Sequence, residues 1–454
     1  MLEKFKHHLF KNYSFLKDKK ILIAVSGGLD SITLTHLMKQ LNLDIALAHC
    51  NFKLRGLESD ADEQFIKNYT IKNNIPFFTT HFNTTKIAEK NKISIQMAAR
   101  NLRYEWFNKI LNKHQYHYLL TAHHLDDMFE TFLINLSRGT GLDGLVGIPQ
   151  INDKIVRPLL PFSREEIFTY AQKEKIEWRE DESNLTTKYH RNKIRHQVVP
   201  ILKELNPSLL NSFQNTLNHL KNSQEILINH INDIKDQIII NEAKSNDENI
   251  ILKIVIEKLN RLSHPKNYLF EILKNYGFTQ WDDVVNLGNT QSGKMVLSNT
   301  HRLIKDRDYL LLTTHPNIKT ENHPKTAYEI SSNITSINTP IKLNFESVNP
   351  EKINLKSEAD NYIILDKDLL KFPLKLRKWE KGDYFCPFGM EGTKKVSKFF
   401  KDEKYSLPQK ESTWLLCSEN QIIWIVGKRF DNRFKVSTQT NHILKITLNN
   451  EEDF

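Results

Sequence analysis

The sequence predicts an α/β protein: a Rossmann-like parallel sheet with helices on both faces, then a helical middle domain and a small β-rich carboxyl-terminal domain. Three observations carry this. In the first 140 residues short apolar runs alternate with helical patterns, from residue 206 one long helical period takes over, and beyond residue 371 the pattern alternates as strands do. Lys20–Val25, Asp44–His49, Pro76–Thr80 and Tyr118–Ala122 read as buried strands. Residues 31–41, 59–73 and 94–112, lying between them, place apolar side chains at steps of three and four. Ligands of such sheets bind outside the carboxyl ends of the strands, so the site is expected just after Val25, His49, Thr80 and Ala122. Phe213, Leu217, Leu220, Leu227, Ile231, Ile234 and Ile238 follow steps of three, four and seven, the stripe of one amphipathic helix. Leu374–Trp379, Ile422–Val426 and His442–Leu448 read as strands of the terminal domain.

A chain of 454 residues exceeds one ordinary domain. The expected division is 1–210 for the sheet domain, 211–315 for a helical substrate-binding domain, 316–360 for a linker, and 361–450 for a basic terminal domain. Thr313–Pro340, rich in Asn, Thr, Ser and Pro, suggests the linker. Three scattered cysteines, Cys50, Cys386 and Cys417, with no CxxC pair, exclude a disulfide framework and a four-cysteine zinc site. No apolar run approaches the ~18–20 residues that span a bilayer, and the amino terminus has no signal-peptide pattern. A soluble, cytoplasmic protein without a membrane partner is expected.

Charge points to a polyanion. The chain carries a net +10, and residues 371–450 hold 16 Lys/Arg against 8 Asp/Glu, so most of the excess lies in the last fifth. Such a balance favours nucleic acid through counterion release, with a solvated basic surface as the alternative.

Ser26-Gly27-Gly28-Leu29-Asp30-Ser31 follows the first strand and opens the first helix of the sheet domain. Two glycines let a ligand approach the backbone, Ser26 and Ser31 add hydroxyl donors, and the helix amino terminus favours an anion. The loop is neither the Gly-Lys-Ser/Thr P-loop nor the dinucleotide GxGxxG. Asp30 would repel phosphate by itself and makes sense as a Mg²⁺ ligand. His123, Asp126, Asp127 and Glu130 gather at the end of the fourth strand, with Asp126 and Glu130 on one helical face. Their alternative is a capped helix with acidic first-turn residues.

These segments together resemble the PP-loop ATP pyrophosphatases and, within them, the tRNA(Ile)-lysidine synthase family. The resemblance rests on the Ser26–Ser31 loop, His49-Cys50-Asn51-Phe52-Lys53-Leu54-Arg55, Arg100-Asn101-Leu102-Arg103-Tyr104 and Thr121–Thr131. It extends to Arg157-Pro158-Leu159, Glu180-Asp181-Glu182-Ser183-Asn184, Arg191-Asn192-Lys193-Ile194-Arg195, and in the terminal domain Pro387-Phe388-Gly389-Met390 and Gly392-Thr393-Lys394-Lys395-Val396. Asn51-Phe52 departs from the second histidine of many members and is assigned no role. The resemblance implies an ATP-dependent ligase that joins L-lysine to C2 of cytidine 34 in the isoleucine tRNA with a CAU anticodon. ATP and Mg²⁺ are the implied cofactors, the tRNA and L-lysine the partners, and a homodimer is allowed.

By the same resemblance Ser26, Gly27, Gly28, Leu29, Asp30 and Ser31 bind ATP. Asp30, Arg103, His123 and Asp127 are the implied catalytic residues, with Asp30 and Asp127 as the Mg²⁺ ligands. Asp127 is read as Mg²⁺ ligand or lysine anchor, and His123 as a contact to phosphate or base. Arg103, with Arg100 one helical turn before it, is read as a clamp on the α-phosphate. Arg191 and Arg195, at i and i+4, and Lys394 and Lys395 are expected on tRNA phosphates. A tRNA thiolase shares the loop but uses paired cysteines that this chain lacks. An amidotransferase needs a catalytic cysteine that Met1-Leu2-Glu3 does not offer.

Overall fold

The computed structural model describes residues 1–180, 190–240, 250–315, 327–349 and 361–449. The chain forms two compact units, Met1–Ile228 and Asn229–Phe454. No described helix is long and apolar enough to cross a membrane.

The first unit opens with helix α1 (Leu2–Asn12) and then alternates: β1 (Ile21–Ala24), α2 (Leu29–Gln40), β2 (Ile45–Asn51), α3 (Leu57–Asn73), β3 (Phe77–His81), α4 (Thr84–Asn91), α5 (Ile95–His114) and β4 (Tyr118–Leu120). Helices α6 (Leu125–Ser137) and α7 (Leu142–Leu145) lead to short strands β5 (Ile151–Asn152) and β6 (Ile155–Val156), then to α8 (Arg164–Lys173). The sheet order is β3-β2-β1-β4-β6-β5, parallel throughout except for the β5–β6 pair. Alternation along each strand divides the core. Ile21 and Ile23 pack with Phe5, Leu9, Ile32 and Ile167 on one face, while Leu22, Ala46 and Ala48 meet Phe107, Ile110 and Leu111 of α5 on the other.

The four expected strands and three expected helices are all present, displaced at their ends by at most two residues. Strand order carries the functional consequence. From β1 the chain moves one way to β2 and β3, then returns to place β4 on the opposite side of β1, with Ile23 beside Leu120. The carboxyl ends of β1 and β4 are therefore neighbours at a topological switch point, where open α/β sheets hold their ligands.

Helix α9 (His190–Lys193) continues through a π-helical turn, Ile194–Val198, into α10 (Val199–Leu205). A helix α11 (Leu209–Ile238) follows, the long amphipathic helix read from the sequence. Its Phe213 and Leu217 pack with Leu125, Met128 and Phe129 of α6 and with Ile194.

The second unit combines helices α12 (Ile256–Asn260), α13 (Pro265–Leu273) and α14 (Trp281–Asn286) with an antiparallel sheet of β7 (Ile250–Val255), β8 (Met295–Leu297), β9 (His301–Asp306) and β10 (Tyr309–Thr314), ordered β7-β10-β9-β8. Residues expected as a linker supply strands β11 (Ala327–Ile330), β12 (Ser336–Ile337) and β13 (Leu343–Val348). Their polar composition hides the pattern because only alternate residues, Ile330, Leu343 and Phe345, enter the core. Strands β14 (Tyr362–Asp366), β15 (Leu374–Lys378), β16 (Tyr384–Phe385) and β17 (Lys394–Lys395) come next, followed by α15 (Val396–Asp402), α16 (Leu407–Ser412), β18 (Trp414–Ser418), β19 (Gln421–Ile425) and β20 (Ile443–Leu448). They form sheets β11-β15-β18-β19 and β12-β13-β20-β14 and the ribbon β16–β17. Within this unit Arg302 of β9 reaches Glu411 of α16 through two bonds, at 3.1 and 2.5 Å.

Candidate active site

The loop after β1 is built as an anion cradle. Gly27 has φ +87°, a left-handed conformation that side chains resist, and its carbonyl accepts the Arg179 N–H at 3.0 Å. Gly28 precedes α2 in an extended conformation, φ −78° and ψ 165°, and no side chain caps that helix. Its first N–H groups are thus left for a ligand. The Ser31 hydroxyl donates to Gly28 O at 3.1 Å and accepts the Ser26 N–H at 3.2 Å, so the loop is closed on itself.

One wall of this cradle is an ionic buckle. Asp62 of α3 accepts Arg55 Nη2 at 2.7 Å and Arg179 Nε at 2.6 Å, and Arg179 also reaches Glu58. Asn51 is buried and donates to Ser59 O, Asp60 and Glu63, a framework role for the position left without one.

Facing the loop, at the end of β4, stand the carboxylates of α6. His124 sits between them and the loop, 3% exposed, its Nε2 at 3.7 Å from Asp30 Oδ2 and 3.4 Å from Asp127 Oδ2. Asp127 Oδ2 also accepts the His124 backbone N–H at 3.1 Å. Burial alone would raise the Asp127 carboxyl, but His124, Arg191 and His123 outweigh it and hold the group below the usual range. Asp30 goes the other way: burial dominates and raises it, despite His124. Its Oδ1 is buried without a hydrogen-bond partner among the described residues. His123 is depressed to about 4 by burial, helped by the nearby cations Arg157 and Arg191, so it is neutral at pH 7. Its Nδ1 lies 3.0 Å from Thr121 Oγ1.

Arg191 and Arg195 join this cluster, rather than lining a separate phosphate track. Arg191 donates through Nε to Glu130 Oε2 at 2.8 Å and through Nη2 to Asp127 Oδ1 at 2.9 Å. Arg195 donates to Glu130 Oε1 at 2.5 Å and Asp127 Oδ1 at 3.1 Å. The i, i+4 spacing does align them on one face, but that face meets a buried Glu130, 3% exposed. Asp126 is taken by framework bonds from Arg164 N–H at 2.8 Å and Lys203 Nζ at 2.7 Å. Asp30, Asp127 and Glu130 then face the guanidiniums of Arg191 and Arg195, while Arg164 acts on Asp30 and Arg157 on His123.

Arg103 lies elsewhere on the same edge. It is exposed and stands 5.2 Å over the Phe52 ring, beyond the end of β2, with no hydrogen bond to the carboxylates among the described residues. Arg100 stands 5.0 Å over Tyr104. In the second unit Lys394 is paired with Asp402 at 2.8 Å, whereas Lys395 is exposed. Asp181, Glu182, Ser183 and Asn184 lie outside the described residues. His124, Glu130 and Arg157 carry more of the geometry than their sequence reading indicated.

No group of three metal-ligating side chains converges among the described residues. Mg²⁺ is commonly held by one or two carboxylates plus phosphate oxygens. Asp30 and Asp127, one with an unpartnered buried oxygen, fit that mode.

Comparison with known proteins agrees with this geometry. Residues 1–202 match a PP-loop domain, residues 246–316 a TilS substrate binding domain, and residues 374–447 a TilS C-terminal domain. A tRNA(Ile)-lysidine synthase from Parabacteroides distasonis is 39% identical over 431 residues, covering 94% of this chain and 95% of that protein. This chain belongs to the tRNA(Ile)-lysidine synthase family. The lysidine synthase of Bacteroides thetaiotaomicron is 40% identical over 439 residues, 96% of this chain and 97% of its own length. That of Clostridium tetani is 32% identical over 456 residues, 96% of each. Family membership makes the chain an ATP-dependent ligase with a PP-loop.

Proposed function

We propose that this protein joins L-lysine to C2 of cytidine 34 in the CAU-anticodon isoleucine tRNA, so that the tRNA reads AUA. The observation that carries the reading is the junction of the Ser26–Ser31 cradle with the Asp30–His124–Asp127 cluster at the switch point, in a chain of the lysidine synthase family. First the C2 oxygen of the base attacks the α-phosphorus of ATP and the bond to pyrophosphate breaks. Then the lysine ε-nitrogen attacks C2, the C2–oxygen bond breaks, AMP leaves and the nitrogen loses its protons.

Each residue has a place in this sequence. Backbone N–H groups of Gly28 to Ser31, with the Ser26 hydroxyl, hold the phosphates that become pyrophosphate. Asp30 and Asp127 would hold Mg²⁺, which would supply positive charge to the phosphate oxygens. Arg103 approaches the α-phosphate from the β2 side. Asp127, kept ionised, serves either Mg²⁺ or the lysine ammonium, and the protons of the attacking nitrogen pass to solvent. His123 and His124 shape the pocket, and neutral His123 adds no repulsion to the incoming cation. Arg191 and Arg195 hold Asp127 and Glu130 in position. Lys395 contacts tRNA phosphate, with Lys394 beside it.

The test is incorporation of labelled lysine into a CAU-anticodon isoleucine tRNA transcript, with ATP and with a C34→U transcript as control. Label acquired only with ATP and only by C34 supports the reading. ATP turnover to AMP without label on the tRNA sinks it.

A further inference from the structure

Beyond β15 the chain passes through Asp383–Met390 and lies against Lys428–Arg433. The exposed side of these two segments is aromatic. Tyr384 and Met390 are 56% and 53% exposed. Phe388 and Phe430 are half-buried and stack at 4.3 Å with their planes 24° apart. Alternation accounts for the arrangement: Phe385 and Pro387 are buried, so Tyr384, Cys386 and Phe388 point the other way.

The face is also rigid. Phe388 N–H donates to Phe430 O at 3.0 Å, and Pro387 bridges Asp431. Asp431, with no exposed surface, accepts the N–H of Cys386 at 2.8 Å and two bonds from the Arg433 guanidinium at 2.9 and 2.8 Å. Asp431 holds the Arg433 guanidinium firmly charged, with Cys386 and Tyr384 close enough to interact with it. Tyr384 is paired in register with exposed Lys395, and Lys428 and Arg429 adjoin Phe430, exposed as well.

Preordered rings ringed by cations match one chemistry. Unpaired nucleotides present π-faces to stack and phosphates to neutralise, whereas double-helical RNA keeps its base faces inside. We propose that this face binds the unpaired 3′-terminal nucleotides of the tRNA, with bases stacked on Tyr384 and the Phe388–Phe430 pair and phosphates on Lys395 and Arg429. The inference rests on the proposed function, since the anticodon loop is then engaged at the first unit's site. A second unpaired strand on the same tRNA must come from elsewhere, and the 3′ end is its free single strand.

The experiment is a thermodynamic cycle with the full chain. Affinity is measured for the isoleucine tRNA transcript with and without its unpaired 3′ nucleotides, using wild type, Tyr384→Ser and the Tyr384→Ser/Phe388→Ala double variant. Trimming should weaken wild-type binding about tenfold and leave the double variant unchanged. Tyr384→Ser alone, at an exposed position that no core depends on, should show part of the loss even where the double variant folds poorly. The salt dependence should keep its slope in the aromatic variants and lose about one unit in Lys395→Ala. Trimming and substitution effects that multiply independently, or trimming that costs wild type nothing, would overturn the proposal. Lysidine formation on saturating untrimmed tRNA is read in parallel. A wild type that makes no lysidine while the cycle holds removes the functional reading and leaves the face.

Discussion

In the first unit Arg55, Arg179, Arg191 and Arg195 direct their guanidiniums at Asp62, Asp127 and Glu130, carboxylates 3–14% exposed. In the terminal domain Lys381, Lys395, Lys398, Lys401, Lys428 and Arg429 all stand exposed. Both regions carry more cations than anions, yet these four arginines of the first face buried carboxylates and these six side chains of the second face outward. Cations of the second kind are accessible to a polyanionic partner. Those of the first arrange a pocket around Asp30, Asp127 and Glu130.

The largest expected effect falls on that pocket. Asp127→Asn keeps the shape and removes the charge, and turnover should fall about 100- to 1,000-fold. Affinity for tRNA should stay within about twofold. A variant with normal turnover and weakened tRNA binding would place Asp127 among the outward-facing contacts instead. Gly28→Val comes next. Its backbone conformation suits any residue, and an added Cβ meets only Ser26 Oγ at 3.4 Å and Arg179 O at 3.9 Å. The protein should fold, with an unchanged melting temperature, and lose tRNA-dependent pyrophosphate release because the side chain occupies the phosphate path. Full activity in the folded variant would remove the cradle assignment.

Stability separates the two kinds of cation directly. Arg195→Ala leaves buried Glu130 half-paired and should cost about 3 kcal/mol in denaturant unfolding. Lys395→Ala should stay within about 0.5 kcal/mol. Equal losses would erase the contrast.

Acid sensitivity belongs to the pocket as well. Burial pushes His123 down to about 4 in the folded protein from its ordinary 6.5, so the unfolded chain takes up the proton first. Its contribution is fully present above about pH 6.5 and is lost as pH falls toward 4. Burial of the neutral imidazole makes this worth about 3 kcal/mol. His123→Asn should flatten the stability profile across that window relative to wild type, and parallel profiles would show that His123 does not carry the effect. The smallest effect is electrostatic: a Lys395→Ala/Arg429→Ala variant should reduce the log–log salt slope of tRNA binding by about two units. An unchanged slope would mean those cations only solvate the surface.

The sheet was legible because β1, β2 and β4 are built on apolar runs between helical periods, as a two-sided parallel sheet requires, whereas the edge strand β3 adds only Phe77 and Phe78. The Ser26–Ser31 cradle was legible because its glycines and hydroxyls are local in sequence. Strands β11 to β13 were not, since short half-buried strands with polar outer faces share the composition of a linker. The partners of Arg191 and Arg195 were not either. Helical spacing shows that two arginines share a face but not what the face meets, and Glu130 is 61 residues from Arg191 in the chain. Arg103 was placed by its motif, whereas its seat over Phe52 depends on how α5 lies against the sheet.

That separation of 61 residues also has a consequence in time. The carboxylates of α6 are synthesised before the arginines that hold them, and at roughly 5–20 residues per second the interval is about 3–12 s. Through that interval Asp127 and Glu130 have no guanidinium to pair with, and the apolar side of α6 waits for Ile194 and Phe213 to cover it. The catalytic corner of the first unit is thus the last part of it to mature on the ribosome, after the sheet that frames it is already complete.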